Sequence, residues 1–177
     1  MRTRLRQEGG FGLIELLMAM TILNVGILTL VAAFNSGSVA LRRSSMISTA
    51  SVLADKQIEL YRALTYDAIA LDSSSIPGSS PYTTDSAYSA TQATRTCSGS
   101  PLPDECNASR TTTGPDRHTY RIDTYIVDDH AVGNARALRK VTVVVRDGAN
   151  VNRTLARETS TFDCSTALPY AAGCPTT

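Results

Sequence analysis

Hydrophobic positions are spread very unevenly along this chain. From Phe11 to Phe34 the only ionisable residue is Glu15, and Leu, Ile, Val, Met and Ala fill most of the other positions. Those 24 residues would extend about 36 Å as an α-helix, enough to cross the hydrocarbon core of a bilayer. After Asn35 the pattern becomes amphipathic. Met46, Ala50, Leu53, Leu60 and Leu64 recur at three, four or seven residues, while Arg43, Asp55, Lys56, Glu59 and Arg62 fall mostly elsewhere. No proline interrupts residues 12 to 76. The pattern predicts one long helix from about Gly12 to Tyr66, roughly 80 Å if unbroken. Its first half would be embedded in a membrane and its second half packed on a water-facing domain.

Downstream the periodicity changes. Residues 72 to 118 are rich in Ser, Thr, Pro and Gly and predict a long irregular connection. Three strand patterns follow. Residues 119–127 (TYRIDTYIV) alternate Tyr120, Ile122 and Ile126 with Arg121 and Asp123, and residues 137–146 (ALRKVTVVVR) set Val141, Val143 and Val145 on one face. Residues 153–162 (RTLARETSTF) follow across the polar turn 147–152. These predict an antiparallel three-stranded sheet whose last two strands form a hairpin. A helix laid across it would bury both apolar faces, giving an α+β architecture.

Composition adds compartment and orientation. Aromatic residues are only 6% of the chain and Trp is absent, so the water-facing core is expected to be modest. A net charge of +1 leaves no electrostatic footprint for nucleic acid. Cys97, Cys106, Cys164 and Cys174 all lie beyond the apolar segment, without the spacing or histidine neighbours of a zinc site. Two local disulfides, Cys97–Cys106 and Cys164–Cys174, are the simplest of three connectivities, with four reduced thiols as the alternative. Arg42 and Arg43 follow the apolar segment as Arg2, Arg4 and Arg6 precede it, so basic residues alone do not orient the helix. Disulfides place the C-terminal part outside the cytoplasm and the N-terminus inside.

Two other readings of the apolar segment are weaker. A buried helix of a soluble domain would need more surrounding chain. A cleaved secretory signal ending near Val31-Ala32-Ala33 would be unusually long and would carry Glu15 inside its apolar region. In a retained membrane helix, Ala19, Gly26, Ala33 and Ala40 recur every seven residues with Thr29 and Ser36 between them. They form a seam of small side chains along which another helix could approach closely. An ionised Glu15 in lipid demands a counter-charge, and the segment contains no Lys or Arg. A free α-amino group would serve, were the chain cut just before the apolar run.

A short basic leader, Gly10-Phe11, and a glutamate at the fifth position beyond Gly10 resemble the type IV prepilin signature, over residues 9 to about 34. The stretch 50–69 also resembles the segment closing the helix in PilV-type minor prepilins. The resemblance implies the type IV pilin fold. It implies cleavage by a prepilin peptidase between Gly10 and Phe11 and N-methylation of Phe11, leaving 167 of the 177 residues once the leader of ten is lost. It also implies that Glu15 engages the N-terminal amine of a neighbouring subunit during filament assembly. Residues 1–10 are then a leader, 11–34 a transmembrane or filament-core helix, 35–66 an amphipathic helix half, and 67–118 an irregular connection with a disulfide loop. Residues 119–163 form the sheet and 164–177 a C-terminal disulfide loop.

By the same resemblance the chain is a structural subunit, a minor pilin first. A type II secretion or competence pseudopilin and a major pilin come next. A membrane-anchored periplasmic binding domain that never polymerises is a different class of answer. Expected partners are other pilin or pseudopilin subunits, prepilin peptidase, inner-membrane assembly machinery and lipid, with no small-molecule substrate, cofactor or metal. The chain would sit in the inner membrane and then in the periplasm or a surface pilus. Many major pilins carry proline at the position of Ala32 and many relatives glycine at that of Asn24; tip-type pseudopilins lack the acidic residue. His118 and His130 are the only histidines, and no nucleophile motif is present. Asp128-Asp129-His130, and the turn with Asp147, Asn150 and Asn152, offer too few oxygens in a recognisable calcium loop and read as solvated turns. Asn107-Ala-Ser and Asn152-Arg-Thr fit a glycosylation sequon.

Overall fold

A computed structural model describes residues 12–130 and 137–164, with only the backbone of Asp129 and His130. The chain divides into two compact units, Met1–Arg43 and Ser44–Thr177. One helix, α1 (Leu13–Arg62), runs from the first into the second. It has 50 residues. It stops four residues short of the predicted end, where Leu64 N–H donates to the Tyr61 carbonyl and a single 3-10 turn, Tyr66–Ala68, follows.

In the first unit every described residue is exposed except Ser38, which is half-buried. The apolar part of α1 is unburied, and by length and composition this helix is long and apolar enough to cross a membrane. Thr21, Thr29 and Ser38 turn their hydroxyls back onto the carbonyls of Met18, Gly26 and Phe34 at 2.8–3.0 Å. The helix thereby satisfies these three hydroxyls from its own backbone, as a solvent without hydrogen bonds would require.

The second unit is built on a four-stranded antiparallel sheet in the order β3-β4-β5-β6: β3 (Ser109–Thr113), β4 (Thr119–His130), β5 (Ala137–Asp147) and β6 (Thr154–Asp163). The three predicted strands are present, and β5 and β6 form the expected hairpin. The fourth strand, β3, lies inside the stretch read as irregular connection. Its three consecutive threonines favour extended backbone, but they alternate with nothing apolar, so no core-facing pattern marks them. A two-residue parallel ladder between β1 (Leu71–Asp72) and β2 (Thr94–Arg95) also falls there.

On one face of the sheet, Ile122 pairs with Val145, Thr124 with Val143 and Ile126 with Val141. Against that apolar face α1 buries Ala50, Ala54, Gln57, Ile58 and Tyr61. The spacing of four, three, one and three residues is that of one helical face. Of the positions read as the apolar stripe, Ala50 is in the core and Leu53 and Leu64 are partly buried against it, while Met46 and Leu60 are half-buried. The stripe is centred on residues 54–61, because Ala50 and Ala54 admit close backbone approach and Gln57 and Tyr61 find hydrogen-bond partners.

The opposite face of the sheet is covered as well. Residues 77–92 cross it as a strap. The Tyr82 ring stacks on Tyr125 with centroids 4.4 Å apart, Tyr82 Oη donates to the Thr124 carbonyl at 2.7 Å, and Tyr125 Oη donates to the Tyr82 carbonyl at 3.1 Å. Asp85 in the strap accepts from Arg146 Nη2 and, at 2.8 Å, from Arg157 Nη2. Arg146 also donates through Nε to Asp123 at 3.0 Å, and Arg121 Nε meets the same carboxylate at 2.8 Å. Covering both faces explains why residues 141–147 of β5 are buried without interruption. At one end of the sheet Gly148 N–H donates to the Thr119 carbonyl, and a Cβ on Gly148 would sit 2.5 Å from that oxygen. Only glycine permits so close an approach.

Candidate functional site

The residues singled out by sequence fall in two places. Glu15 lies in the first turn of α1, its backbone N–H donating to the Gly12 carbonyl at 2.9 Å. A carboxylate there complements the positive end of the helix dipole. Glu15 is exposed among Leu13, Ile14, Leu16, Leu17 and Met18, all exposed as well. Among the described residues no ion pair includes it. Glu15 is therefore an acidic group on an apolar surface with no described counter-charge in its own chain. Gly10 and Phe11, the expected cleavage and methylation positions, lie outside the described residues.

Ala19, Gly26, Ala33 and Ala40 all lie on α1 and are all exposed. Seven residues fall about 20° short of two full turns, so the four occupy a sector of about 60°. A Cβ at Gly26 would meet nothing within 4 Å. The seam is an open shallow groove bordered by large exposed apolar side chains such as Ile22, Leu30 and Phe34.

The second place is the disulfide loop. Cys97 and Cys106 are bonded to each other. Cys164 is also disulfide-bonded, and its expected partner Cys174 lies outside the described residues. No described cysteine is a free thiol. The Cys97–Cys106 loop seats on α1. Gln57 Nε2 donates to the Asp104 carbonyl at 3.1 Å and Tyr61 Oη to the Glu105 carbonyl at 2.8 Å. Burial pushes the Tyr61 hydroxyl up to about 12, with Gln57 and Thr124 opposing it, so it stays a donor across the physiological range. The loop is fixed on its other side by Asp72, which accepts from Cys97 N–H at 2.8 Å and from Ser74 N–H and Oγ.

Asp128-Asp129-His130 is not the turn expected but the end of β4, paired with residues 137–139 of β5, and the side chains of Asp129 and His130 lie outside the described residues. Asp128 accepts from Arg139 Nε at 2.8 Å. Asp147 accepts from His118 Nε2 and from Ala149 N–H, both at 2.9 Å. Burial pushes the Asp147 carboxyl up, but Ala149 N–H and His118 outweigh it, and the group titrates below the usual carboxylate range. Asn150 Oδ1 accepts from Asn152 N–H. Among the described residues no three His, Cys, Asp or Glu side chains converge on a metal position. Asn107 is also engaged, its amide donating to the Leu102 and Pro103 carbonyls.

Sequence reasoning did not find Gln57, Tyr61, Asp85 or Arg146. A glutamine four residues from a tyrosine on an apolar helix face is the one local sign of the first pair. Asp85 carries no such sign, because its arginine partners are more than sixty residues away.

Residues 5–31 match the family model of the prokaryotic N-terminal methylation motif. No curated protein and no solved structure matches the chain. The matched residues include Gly10, Phe11, Glu15, Ala19 and Gly26 and none of the sheet. The motif indicates a type IV pilin-like or pseudopilin subunit.

Proposed function

We propose that the chain is a minor pilin, processed by prepilin peptidase between Gly10 and Phe11, N-methylated at Phe11 and built into a type IV pilus-like filament or its initiating complex. One observation carries the reading. Glu15 is the sole charge between Leu13 and Leu41 and lies exposed on an apolar helix without a described partner. A carboxylate in low dielectric needs an opposite charge, and a new amine at Phe11 of an adjacent subunit would supply it where water is scarce. The open seam Ala19, Gly26, Ala33 and Ala40 would let the helices of those subunits pack closely.

Minor rather than major pilin is favoured by the unbroken helix through Ala32 and by the helix ending at Arg62, within the PilV-like stretch. The subunit enters the inner membrane with its N-terminus in the cytoplasm and its cystine-bearing part outside, and passes to the assembly machinery. A type II secretion or competence pseudopilin shares this geometry and is the second reading, resting on the same motif.

The test is the N-terminus of the chain recovered from membranes that contain prepilin peptidase. N-methyl-phenylalanine at Phe11 is expected. An intact Met1, or a chain starting at Phe34, would overturn processing and with it the filament role. Mass spectrometry of sheared surface filaments then separates pilin from pseudopilin.

A further inference from the structure

We propose that the Cys97–Cys106 disulfide is a directional, reducible clasp on α1: Cys97 receives an incoming thiol, Cys106 departs as a thiolate held by Arg95, and opening frees the loop from Gln57 and Tyr61. This goes beyond the filament reading and does not depend on it.

The two sulfurs sit in opposite settings. Cys106 is 1% exposed, whereas Cys97 is half-buried and borders an exposed stretch, residues 98–101. An external thiol therefore reaches Cys97 first. Arg95 places Nη2 3.2 Å from Cys106 Sγ. Its Nε is buried with no hydrogen-bond partner, and no ion pair among the described residues includes Arg95. The guanidinium is thus uncommitted to any described carboxylate and faces the sulfur. It is held there by the β1–β2 ladder, in which Arg95 pairs with Asp72. Asp72 fixes the backbone at both cysteines, its carboxylate accepting from Cys97 N–H and its own N–H donating to the Cys106 carbonyl. The guanidinium thus favours negative charge on sulfur at Cys106.

Exchange then has one direction. The thiolate of a small thiol attacks Cys97 Sγ, a mixed disulfide forms there, and the Cys97–Cys106 bond breaks with its electron pair moving to Cys106 Sγ. A leaving thiolate of lower basicity departs faster, and the Arg95 cation supplies that stabilisation. A second thiol attacks the small-molecule sulfur of the mixed disulfide and releases Cys97, so two thiols are oxidised to one disulfide while the cystine is reduced. Closure is the reverse, with the Cys106 thiolate attacking a mixed disulfide at Cys97. Once open, the loop no longer holds the Asp104 and Glu105 carbonyls against Gln57 and Tyr61, both fully buried. Two buried donors then lack acceptors, and the helix–sheet contact loosens.

The experiment uses the full chain in detergent, exposed briefly to reduced glutathione, quenched with iodoacetamide and mapped by peptide mass spectrometry. Glutathione on Cys97 with the alkyl label on Cys106 is expected; glutathione on Cys106 overturns the direction. Arg95→Gln should slow opening by about threefold or more and Arg95→Lys should retain most of the rate; an unchanged rate in Arg95→Gln overturns the role of Arg95. Hydrogen exchange of the unsubstituted chain reads the clasp directly. Residues 50–62 should exchange faster after Cys97–Cys106 is reduced, and unchanged protection would remove the clasp.

Discussion

Gln57 on α1 and Arg110 on β3 meet side chain to side chain, Arg110 donating to Gln57 Oε1 through Nη2 at 2.9 Å and Nε at 3.3 Å. Gln57 is fully buried, and its amide nitrogen reaches the disulfide loop. One neutral side chain thus joins the helix, the edge strand and the loop without burying a charge of its own. Gln57→Leu preserves size but leaves the Arg110 guanidinium and the Asp104 carbonyl without this partner. Denaturant unfolding of the full chain in detergent should show a loss of about 1–3 kcal/mol. A loss within 0.5 kcal/mol, the ordinary range of an inconsequential surface change, would mean the junction is held elsewhere.

The strap should come away when Asp85 loses its charge. The Asp85 side chain is 4% exposed and that of Arg146 6%. Burial pushes the Asp85 carboxyl up, but the hydrogen bond from Arg157, the Ala87 N–H and the charges of Arg157 and Arg146 bring it below its ordinary value. A depressed carboxyl stabilises the fold above its unfolded value of about 4, and that contribution disappears as pH falls from there through the folded value. Asp85→Asn should cost about 2–4 kcal/mol at pH 7 and flatten the acid limb of the stability profile, as read by urea unfolding between pH 3 and 7. Proteolysis should then cut first within residues 77–92.

How legible these features were depends on the distance between partners. The membrane-length helix, the β5–β6 hairpin and the helix-on-sheet packing follow from local periodicity, since apolar spacing is a property of consecutive residues. The strap was not legible. Its hold depends on Tyr82 reaching Tyr125 and on Asp85 reaching Arg146 and Arg157, and no periodicity marks a loop that covers a sheet. β3 escaped for a related reason, because its pairing with β4 uses polar residues such as Arg110 opposite Ile122 and Thr112 opposite Tyr120. Glu15 was legible because it breaks an apolar run, whereas Gln57 hides in a pattern where one polar residue on a helix face is unremarkable.

Glu158 on β6 has the opposite acid–base behaviour to Asp85. Burial pushes its carboxyl up, and the charge and hydrogen bond of Asp55 on α1 push it further, against Arg62. A raised carboxyl contributes stability below its unfolded value of about 4.3 and loses that contribution as pH rises through the higher folded value. At neutral pH it therefore works against the contact between α1 and β6. Glu158→Gln should stabilise the chain at pH 7 by roughly 0.2–1 kcal/mol and give no gain at pH 3. Equal effects at both pH values would place the cause outside the carboxylate pair.

Glu15→Ala separates insertion from assembly. Removing a charge from an apolar helix lowers the cost of embedding it, so membrane association should be unchanged or stronger. Incorporation into filaments, measured by immunoblot of sheared fibres against total membrane, should fall at least about tenfold, since one buried charge pair is worth several kcal/mol once its partner is left alone. Normal incorporation of the variant would count against a role for Glu15 between subunits.

The seating of the disulfide loop on α1 also sets a timetable. Gln57 and Tyr61 receive their partners from residues 44 to 53 positions further along the chain. A ribosome therefore releases the helix well before anything that can satisfy it. Through that interval the nascent segment keeps its polar groups hydrated, and the hydrophobic seat closes only once the later residues arrive. A stall or truncation between residues 62 and 104 would leave an exposed amphipathic helix, the kind of signal that chaperones and quality-control proteases recognise.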